Sequence, residues 1–470
     1  MNFSHKIIPL SVALIFCLLL PLFGADKSTV YVLSTIQLIL FYYMVRERKL
    51  TALGSFTFMY VLFFAVRPIY LVLQDDYKLF DVLFLIDPKI EGIVNAQWWA
   101  TLGLILFLMG GLCARFAHAK RWIARSKQAN ETVGNQLPNQ TWLILLFFLQ
   151  IGTLGIMAVL ASSGTALYGS AVGAYLYDLP MAMQAAHVLV ILLLLEKWLQ
   201  HHSTTSLIFL IASCLLCILF TYLMRNVSNF RGFYLTGLMV AGIAAVARLK
   251  LKVSYAWLCV PILIALPIFR ILGETRAESA AELLDILPAE ATGDEGFLKE
   301  YWNFFEASGD MNIFDTFVAA NESKPEFRPY VYSWLYVPVH FIPRAIWKSK
   351  PEKGILIDYS FMNGAPYSAG ISGFFLLDGG KLWMLGCMVL LGYILAWFDY
   401  QILTMPYGYL RCCLYAIHVV NGMYLTRFYL WQWFYQALYM AVPCLILAWA
   451  LNKTLSKKKM PVRKRRPLTA

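Results

Sequence analysis

The sequence predicts an all-α polytopic membrane protein with about 12 transmembrane helices and one long polar loop. Hydrophobic residues make up 60% of the 470 residues, whereas charged residues make up only 14%. Soluble domains carry about 25% charged residues, so this composition excludes an ordinary soluble fold. Apolar runs of about 17 to 25 residues recur along the chain, and each is long enough to cross a bilayer as a helix.

Twelve of these runs are predicted to form the transmembrane helices. They cover residues 7–23, 29–45, 54–74, 95–117, 141–161, 181–199, 204–223, 232–248, 254–272, 380–399, 408–425 and 428–451. The first run resembles a signal peptide, but a bulky residue stands where cleavage needs a small one, and we expect an uncleaved helix. The predicted regions are a nine-helix membrane region at 1–272, a loop with interfacial helices at 273–379, a three-helix membrane region at 380–452 and a basic tail at 453–470.

The orientation follows from lysine and arginine residues in the short loops, because such loops resist translocation. In a model with twelve crossings, the basic segments 46–49, 120–127, 196–197 and 248–252 and the C-terminal tail all lie on one side. Both termini are therefore predicted to be cytoplasmic. The opposite, outer face then holds the connections at 75–94, 162–180 and 224–231, the long loop and the turn around Arg427.

The charge and cysteine patterns exclude several classes of function. The net charge is +12, but the cations gather at the ends of apolar runs and in the tail, which favours contact with membrane lipids and not with nucleic acid. All nine cysteines lie in or beside apolar runs, where buried thiols without a disulfide framework are expected. The sequence contains no metal-ligand cluster, no Asp-x-Asp pair and no phosphate-binding glycine loop, so no metal or other cofactor is predicted.

The second half of the long loop is the main candidate site. Residues 328–340 are rich in aromatics and too interrupted to span, and we expect them to lie at the outer membrane boundary. The segment that follows carries cations beside aromatic rings, an arrangement that suits a lipid phosphate at a bilayer surface; its candidate residues are Arg344, Trp347, Lys348 and Lys350. Residues 364–373 are rich in glycine and serine, which predicts either a tight turn beside a ligand or a flexible linker.

Further arginines stand on the predicted outer face. They come from separate parts of the sequence: Arg67, Arg225, Arg231, Arg270 and Arg427. We expect them to converge with Arg344 on one polyanion, and Arg231 is expected to open a helix whose N-terminus favours an anion. The alternatives are that Arg67 reaches up to the outer headgroups, and that Arg225 and Arg231 only contact lipid phosphates.

The candidate general bases are all in the outer loop: His340, Asp315 and Glu306. Asp315 is predicted either as the base or as a partner of one of the arginines. His340 is predicted as a base, with a structural hydrogen-bond donor as the alternative.

Several of these residues together resemble a known family. Residues 341–351, followed by 368–372 and 378–380, resemble the late outer-loop signature of bacterial oligosaccharide repeat-unit polymerases, the Wzy-type O-antigen and enterobacterial common antigen polymerases. The turn at 228–232, the arginine before the last helix and the pair Arg67-Pro68 are similar to further features of that family.

The resemblance implies a GT-C-like glycosyltransferase in the bacterial inner membrane, with its active site on the periplasmic side and no metal requirement. Its substrates would be undecaprenyl-pyrophosphate-linked glycans, and its protein partners a flippase and a chain-length regulator. Arg231, Arg344 and Arg427 would clamp the pyrophosphate, and Lys350 and Arg67 would assist.

Two rival functions remain open. An O-antigen ligase would transfer a finished chain from the same carrier to lipid A-core, and it shares the topology and the outer arginines. A lipid-linked oligosaccharide flippase or secondary transporter would place ionisable residues near the bilayer midplane, whereas the charges here favour the outer face.

Overall fold

The computed structural model describes residues 4–45, 50–74, 89–131, 140–162, 179–227, 231–251, 253, 255, 313–322, 332–340, 342, 346–350, 368–427 and 429–456. Regular structure in these ranges is helical throughout and contains no strand. Seven helices in the described part are long and apolar enough to cross a membrane: Ala52–Gln74, Ile90–Ala119, Thr141–Ser162, Leu179–His201, Thr204–Met224, Gly370–Leu403 and Leu430–Leu451. The predicted all-α membrane protein is thereby confirmed, while twelve crossings and a GT-C-like arrangement stay predictions.

The helices are numbered here in chain order. They are α1 (Ser4–Leu19), α2 (Lys27–Val45), α3 (Ala52–Val61), α4 (Arg67–Gln74), α5 (Ile90–Glu131), α6 (Gln140–Ser162), α7 (Leu179–His201), α8 (Thr204–Val227), α9 (Arg231–Arg248), α10 (Ile313–Glu322), α11 (Tyr332–His340), α12 (Gly370–Leu403), α13 (Tyr409–Leu425) and α14 (Leu430–Ser456). Apart from Tyr255, the predicted span at 254–272 lies outside the described residues, as does most of the long loop.

The chain forms two compact units. The first comprises Met1–Trp122, Lys252–Gln401 and His418–Tyr435, and the second comprises Ile123–Leu251, Ile402–Ile417 and Gln436–Ala470. The four predicted regions, with boundaries at 272, 379 and 452, stay a prediction.

In the first unit, a widened turn at Leu62–Val66 connects α3 to α4. One extra residue in a helical turn rotates everything that follows by about 100° and disrupts the ladder of main-chain hydrogen bonds. Neighbouring side chains contact two carbonyls of this turn. The Ser34 hydroxyl donates to the Ala65 carbonyl at 3.1 Å, and the Gln97 amide donates to the Ser34 hydroxyl at 2.7 Å and to the Phe64 carbonyl at 3.5 Å. The irregular turn is therefore held in place by α2 and α5, and Arg67 follows it directly.

In the second unit, a buried polar network joins α6, α7 and α8. The Gln150 side-chain amide donates to His187 Nδ1 at 2.9 Å and to the Ser213 carbonyl at 3.0 Å. His187 Nε2 lies 2.9 Å from the Thr153 hydroxyl, and the Ser213 hydroxyl donates to the Gln150 side-chain oxygen at 2.8 Å. A ring nitrogen that accepts from an amide cannot carry a proton, so His187 is neutral, with its proton on Nε2. Such bonds stabilise helix contacts inside a bilayer.

The cysteines follow their predicted environment in most cases. Of the eight in the described residues, Cys17, Cys217, Cys387, Cys412, Cys413 and Cys444 are buried. Cys113 is exposed and Cys214 is partly exposed, although both stand in apolar helices. Burial of every cysteine was therefore the wrong expectation, because the outer surface of a membrane helix is itself apolar.

Candidate active site

A buried ion pair between Arg67 and Asp315 lies at the centre of the candidate site. Arg67 Nε donates to Asp315 Oδ1 at 3.0 Å, and Nη2 donates to Oδ2 at 2.7 Å. Arg67 is 2% exposed and Asp315 is fully buried. The guanidinium carbon also lies 5.5 Å from the centre of the Tyr70 ring. This is the two-pronged geometry that makes an arginine–carboxylate pair both strong and directional.

Aromatic packing holds α10, which carries Asp315, against the widened turn. The Phe64 ring stacks on Tyr60 with centroids 4.3 Å apart, and it meets Phe314 and Phe317 edge-on at 6.0 and 5.4 Å. Phe314 and Phe317 flank Asp315 on its own helix. Each edge-to-face pair contributes about 0.5–1.5 kcal/mol beyond the burial of its area, which helps to offset the cost of two buried charges.

The turn that carries Arg427 lies beside the same helix. The Arg427 carbonyl accepts a hydrogen bond from the Ser368 hydroxyl, and the Thr426 carbonyl accepts one from the Ile371 main chain at 3.3 Å. Gly370 has a φ of +65°, and any Cβ there would collide with the Thr426 carbonyl and the Ile313 side chain. Only glycine fits this backbone comfortably. Gly370 therefore joins the start of α12, the Arg427 turn and the first residue of α10.

A row of stacked rings, here called the aromatic ladder, continues from this point. Phe374 stacks on Tyr429 with centroids 3.8 Å apart, Tyr429 lies 5.8 Å from Trp431, and Trp431 meets Tyr336 of α11 at 5.7 Å. Lys350 Nζ lies 5.9 Å from the centre of the Tyr336 ring and donates to the Ile342 carbonyl at 2.9 Å. Lys350 is therefore held at the far end of the ladder.

The structure thus links four of the sequence-predicted residues through consecutive contacts within the first unit. Arg67 and Asp315 touch directly, Arg427 is connected to their helix through Gly370, and Lys350 is connected to the Arg427 turn through the aromatic ladder. Asp315 is the partner of an arginine, which is one of the two roles that the sequence left open.

The other candidates of the long loop are exposed or lie outside the described residues. Trp347 is half-buried and its ring nitrogen donates to the Ser349 hydroxyl at 3.0 Å, while Lys348 is exposed. Ile346 beside them is 78% exposed. An exposed apolar side chain two residues from an exposed lysine is what a membrane surface favours. Arg270, Glu306 and Arg344 lie outside the described residues.

Three candidates are placed only by their main chain. His340 ends α11, and its side chain is outside the described part. Helix α9 begins at Arg231, as predicted, and Arg225 lies near the end of α8. Both residues belong to the second unit, whereas Arg67, Asp315 and Arg427 belong to the first. The roles of all the sequence-predicted site residues stay predictions.

Sequence reasoning missed Glu322. It stands seven residues after Asp315 on α10 and so lies on the same helix face, about 10 Å further along the axis. Its carboxylate lies against Gly92 at the start of α5, where a Cβ would collide with it. Burial raises the pKa of the Glu322 carboxyl above its ordinary value. The seven-residue spacing, about two helical turns, was the sequence pattern that could have placed Glu322 on the same helix face as Asp315.

Asp378 was also missed as a positioning residue. It is buried and accepts hydrogen bonds from the Ser333 main chain at 3.2 Å and from the Ser333 hydroxyl. Ser333 is in the first turn of α11, where main-chain N–H groups lack helical partners. Asp378 therefore caps the helix that carries Tyr336, and fixes α11 against α12.

The arrangement offers cations and flat rings and no metal cluster within the described residues. Guanidinium and ammonium groups suit phosphate oxygens, and the partly exposed rings of Tyr429 and Trp431 suit the apolar faces of ring-shaped ligands. The chemistry that this favours is the binding of a phosphate-bearing lipid or glycan.

Comparison with protein-family models, with curated proteins and with solved structures finds no match to this chain. The resemblance drawn from residues 341–351 and their companions accordingly stays a prediction. The chemistry of the site is the basis on which a function can be proposed.

Proposed function

We propose that this chain is a membrane-embedded glycosyltransferase that polymerises undecaprenyl-pyrophosphate-linked oligosaccharide repeat units at the periplasmic face of the bacterial inner membrane. The observations that carry the proposal are the buried Arg67–Asp315 pair and, beside its helix, the aromatic ladder, which runs from the Arg427 turn to Lys350. Cations beside ring faces match a substrate that joins a pyrophosphate to a sugar.

In the proposed reaction, a hydroxyl oxygen of the acceptor sugar attacks the reducing-end carbon of the donor glycan. The bond from that carbon to the pyrophosphate oxygen breaks, and undecaprenyl pyrophosphate leaves with the bonding electrons. Arg427 stabilises the negative charge that grows on the leaving group, and Lys350 assists. Arg231 and Arg344 have this role only as the family resemblance implies. The hydroxyl proton passes to a carboxylate of the enzyme.

Asp315 is better suited to positioning Arg67 than to accepting this proton. Both of its oxygens already accept hydrogen bonds from the guanidinium, and the carboxylate is fully buried. Glu322 on the same face of α10 is partly exposed. We therefore assign the general base of the proposed reaction to Glu322.

Replacing Glu322 with glutamine is expected to reduce the rate of chain extension about 100-fold, because amide oxygen is a poor base. A base acts in its deprotonated form, so the wild-type rate should fall as the pH drops through the raised pKa of Glu322. The acidic limb of the pH–rate profile should therefore lie above the ordinary range of a glutamate and disappear in the variant. Glu91→Gln changes an exposed carboxyl beside Gly92 and serves as the control. An unchanged profile in Glu322→Gln would exclude this role.

The proposed function is tested with purified protein in detergent and a defined lipid-linked repeat unit as the only substrate. We expect a ladder of longer lipid-linked products without any ion gradient or nucleotide. The absence of products from folded, monodisperse protein would refute the polymerase assignment.

The same assay separates the two rivals. A ligase would leave the repeat units unextended and instead transfer glycan to added lipid A-core, and loss of its gene would leave uncapped core. Loss of a polymerase would leave lipopolysaccharide capped by a single repeat unit. A transporter is favoured by one observation, the buried Arg67–Asp315 pair, because paired ionisable residues inside membrane proteins often mark transport pathways. A transporter would form no new glycosidic bond in detergent.

A further inference from the structure

A second cationic cluster lies in the second unit and shares no residue with the candidate active site. Three cations surround the ring of Tyr407: Lys250 Nζ at 5.0 Å, the Arg248 guanidinium carbon at 5.4 Å and the Arg411 guanidinium carbon at 5.7 Å. This group is called the Tyr407 cage below. Such distances are those of cation–π contacts.

The cage carries excess positive charge. Arg248 is paired with the carboxylate of Glu196, its Nη2 donating to Oε1 at 2.5 Å. Arg411 donates to the Met405 carbonyl at 3.0 Å, and this neutral acceptor does not balance the positive charge of the guanidinium. Three cations and one carboxylate leave two positive charges around one ring.

The cage is built from fixed elements. The Tyr407 hydroxyl donates to the carbonyls of Ala247 and Arg248, both 3.0 Å away, at the end of α9. The connection between α12 and α13 is thereby tied to the last turn of α9. The cations are presented by a rigid frame and not by a loose tail.

Lys250 holds a backbone conformation that favours glycine. Its φ is +55°, one of two positive values for non-glycine residues in the described part of the chain. The Leu251 N–H donates to the Val246 carbonyl at 3.1 Å, and the Lys250 N–H donates to the Ala247 carbonyl at 3.2 Å. This is the helix C-terminal motif in which glycine is normally found. Lys250 therefore stands where glycine would be less strained, and its ammonium group lies over the Tyr407 ring.

Exposed apolar side chains flank the lysine of the cage, as suits a membrane surface. Leu249 and Leu251 stand on either side of Lys250 and are 40% and 56% exposed. Their side chains are placed to contact acyl chains while the ammonium group contacts a headgroup. The positive-inside pattern predicts that this end of α9 faces the cytoplasm, where anionic lipids are abundant.

We propose that the Tyr407 cage binds the phosphate of an anionic phospholipid whose acyl chains lie against Leu249 and Leu251. Arg411 and Lys250 supply the charge, and Arg248 supplies a guanidinium already oriented by Glu196. The site is independent of the proposed glycosyl transfer, so either can fail without the other.

The test uses the full chain in detergent, titrated with short-chain phosphatidylglycerol, short-chain phosphatidylcholine or inorganic phosphate. Bound lipid is counted by native mass spectrometry and binding is followed by the shift in Tm. We expect phosphatidylglycerol to bind more tightly than phosphatidylcholine. Lys250→Gly should weaken phosphatidylglycerol binding about fivefold, the share expected of one cation at a membrane surface. Lys250→Arg should retain binding.

The positive φ of Lys250 provides a control for misfolding in this experiment. Lys250→Gly relieves the backbone strain, so the Tm without lipid should not fall. His202→Gly is the matched control, because His202 is the other described non-glycine residue with a positive φ, 47°, and it directly follows the end of α7 in the same unit. It should relieve the same strain and leave lipid binding unchanged.

Three results would overturn the proposal. Equal binding of phosphatidylglycerol and phosphatidylcholine would show that charge is not recognised. Wild-type binding in Lys250→Gly would place the lipid elsewhere. If inorganic phosphate alone reproduced the whole shift in Tm, the cage would be a site for a soluble anion and not for a lipid.

Discussion

Replacing Asp315 with leucine is expected to destabilise the first unit by about 3–5 kcal/mol, because it leaves the Arg67 guanidinium buried without a countercharge. Arg67 is only 2% exposed, so solvent cannot replace the lost carboxylate without a change in structure. The measurement is the free energy of unfolding in detergent, with thermal unfolding as a second readout.

The double variant Arg67→Met, Asp315→Leu separates the cost of an orphaned charge from the value of the pair. Buried ion pairs replaced by apolar side chains of similar size often lose little stability, so the double variant should recover most of the loss. Additive losses in the two single variants and the double variant would contradict the direct pairing seen between the two side chains.

The double variant also separates folding from function. If the pair only holds α10 in place, a folded Arg67→Met, Asp315→Leu protein should extend glycans as the wild type does. In the proposed glycosyltransferase, Arg67 assists the leaving pyrophosphate, so the same folded protein should be impaired.

For the proposed glycosyl transfer, replacing Arg427 with glutamine is expected to reduce the rate of chain extension by about 10²- to 10³-fold, because the positive charge assigned to the leaving group is lost. The contact with Ser368 is made by the Arg427 main-chain carbonyl, which glutamine retains. Single-turnover rates with a lipid-linked repeat unit measure the effect. Arg231→Ala and Arg344→Ala are expected to reduce the rate similarly while membrane insertion stays intact.

Charge and geometry are distinguished by a second substitution. Arg427→Lys keeps the charge but loses the fork that grips two phosphate oxygens, so it should also be impaired. Arg121→Gln, at an exposed position of α5, is the matched control and should retain the wild-type rate. A normal product ladder from Arg427→Gln would remove Arg427 from the proposed site.

Much of the helical architecture follows from apolar length alone, since a bilayer requires every spanning backbone to satisfy its own hydrogen bonds. The predicted runs at 54–74, 141–161, 181–199 and 204–223 lie close to helices that could span a membrane. The run at 380–399 proved part of a longer helix, α12, which begins at Gly370 and bends at Gly380, where φ is +77°. Hydropathy could not find this, because the bend depends on backbone conformation.

The sequence also singled out the chemistry of the candidate site, since an arginine within an apolar run is costly and therefore conspicuous. Arg67 and Asp315 were both identified, but they stand 248 positions apart and their pairing could not be read from spacing. The sequence does not distinguish Glu322 from other carboxylates in the polar loop, because its burial and the raised pKa that follows from it depend on the fold.

The sequence by itself determined that this protein is a helical membrane protein. It also identified charged residues, such as Arg67, that stand within apolar segments, where burying a charge costs free energy. Only the tertiary structure decided which of these charges meet: Arg67 with Asp315, and Lys250 with Arg248 and Arg411 around Tyr407. The physical reason is that burial along a helix is a local property of consecutive residues, whereas a contact between distant helices depends on how their side chains pack.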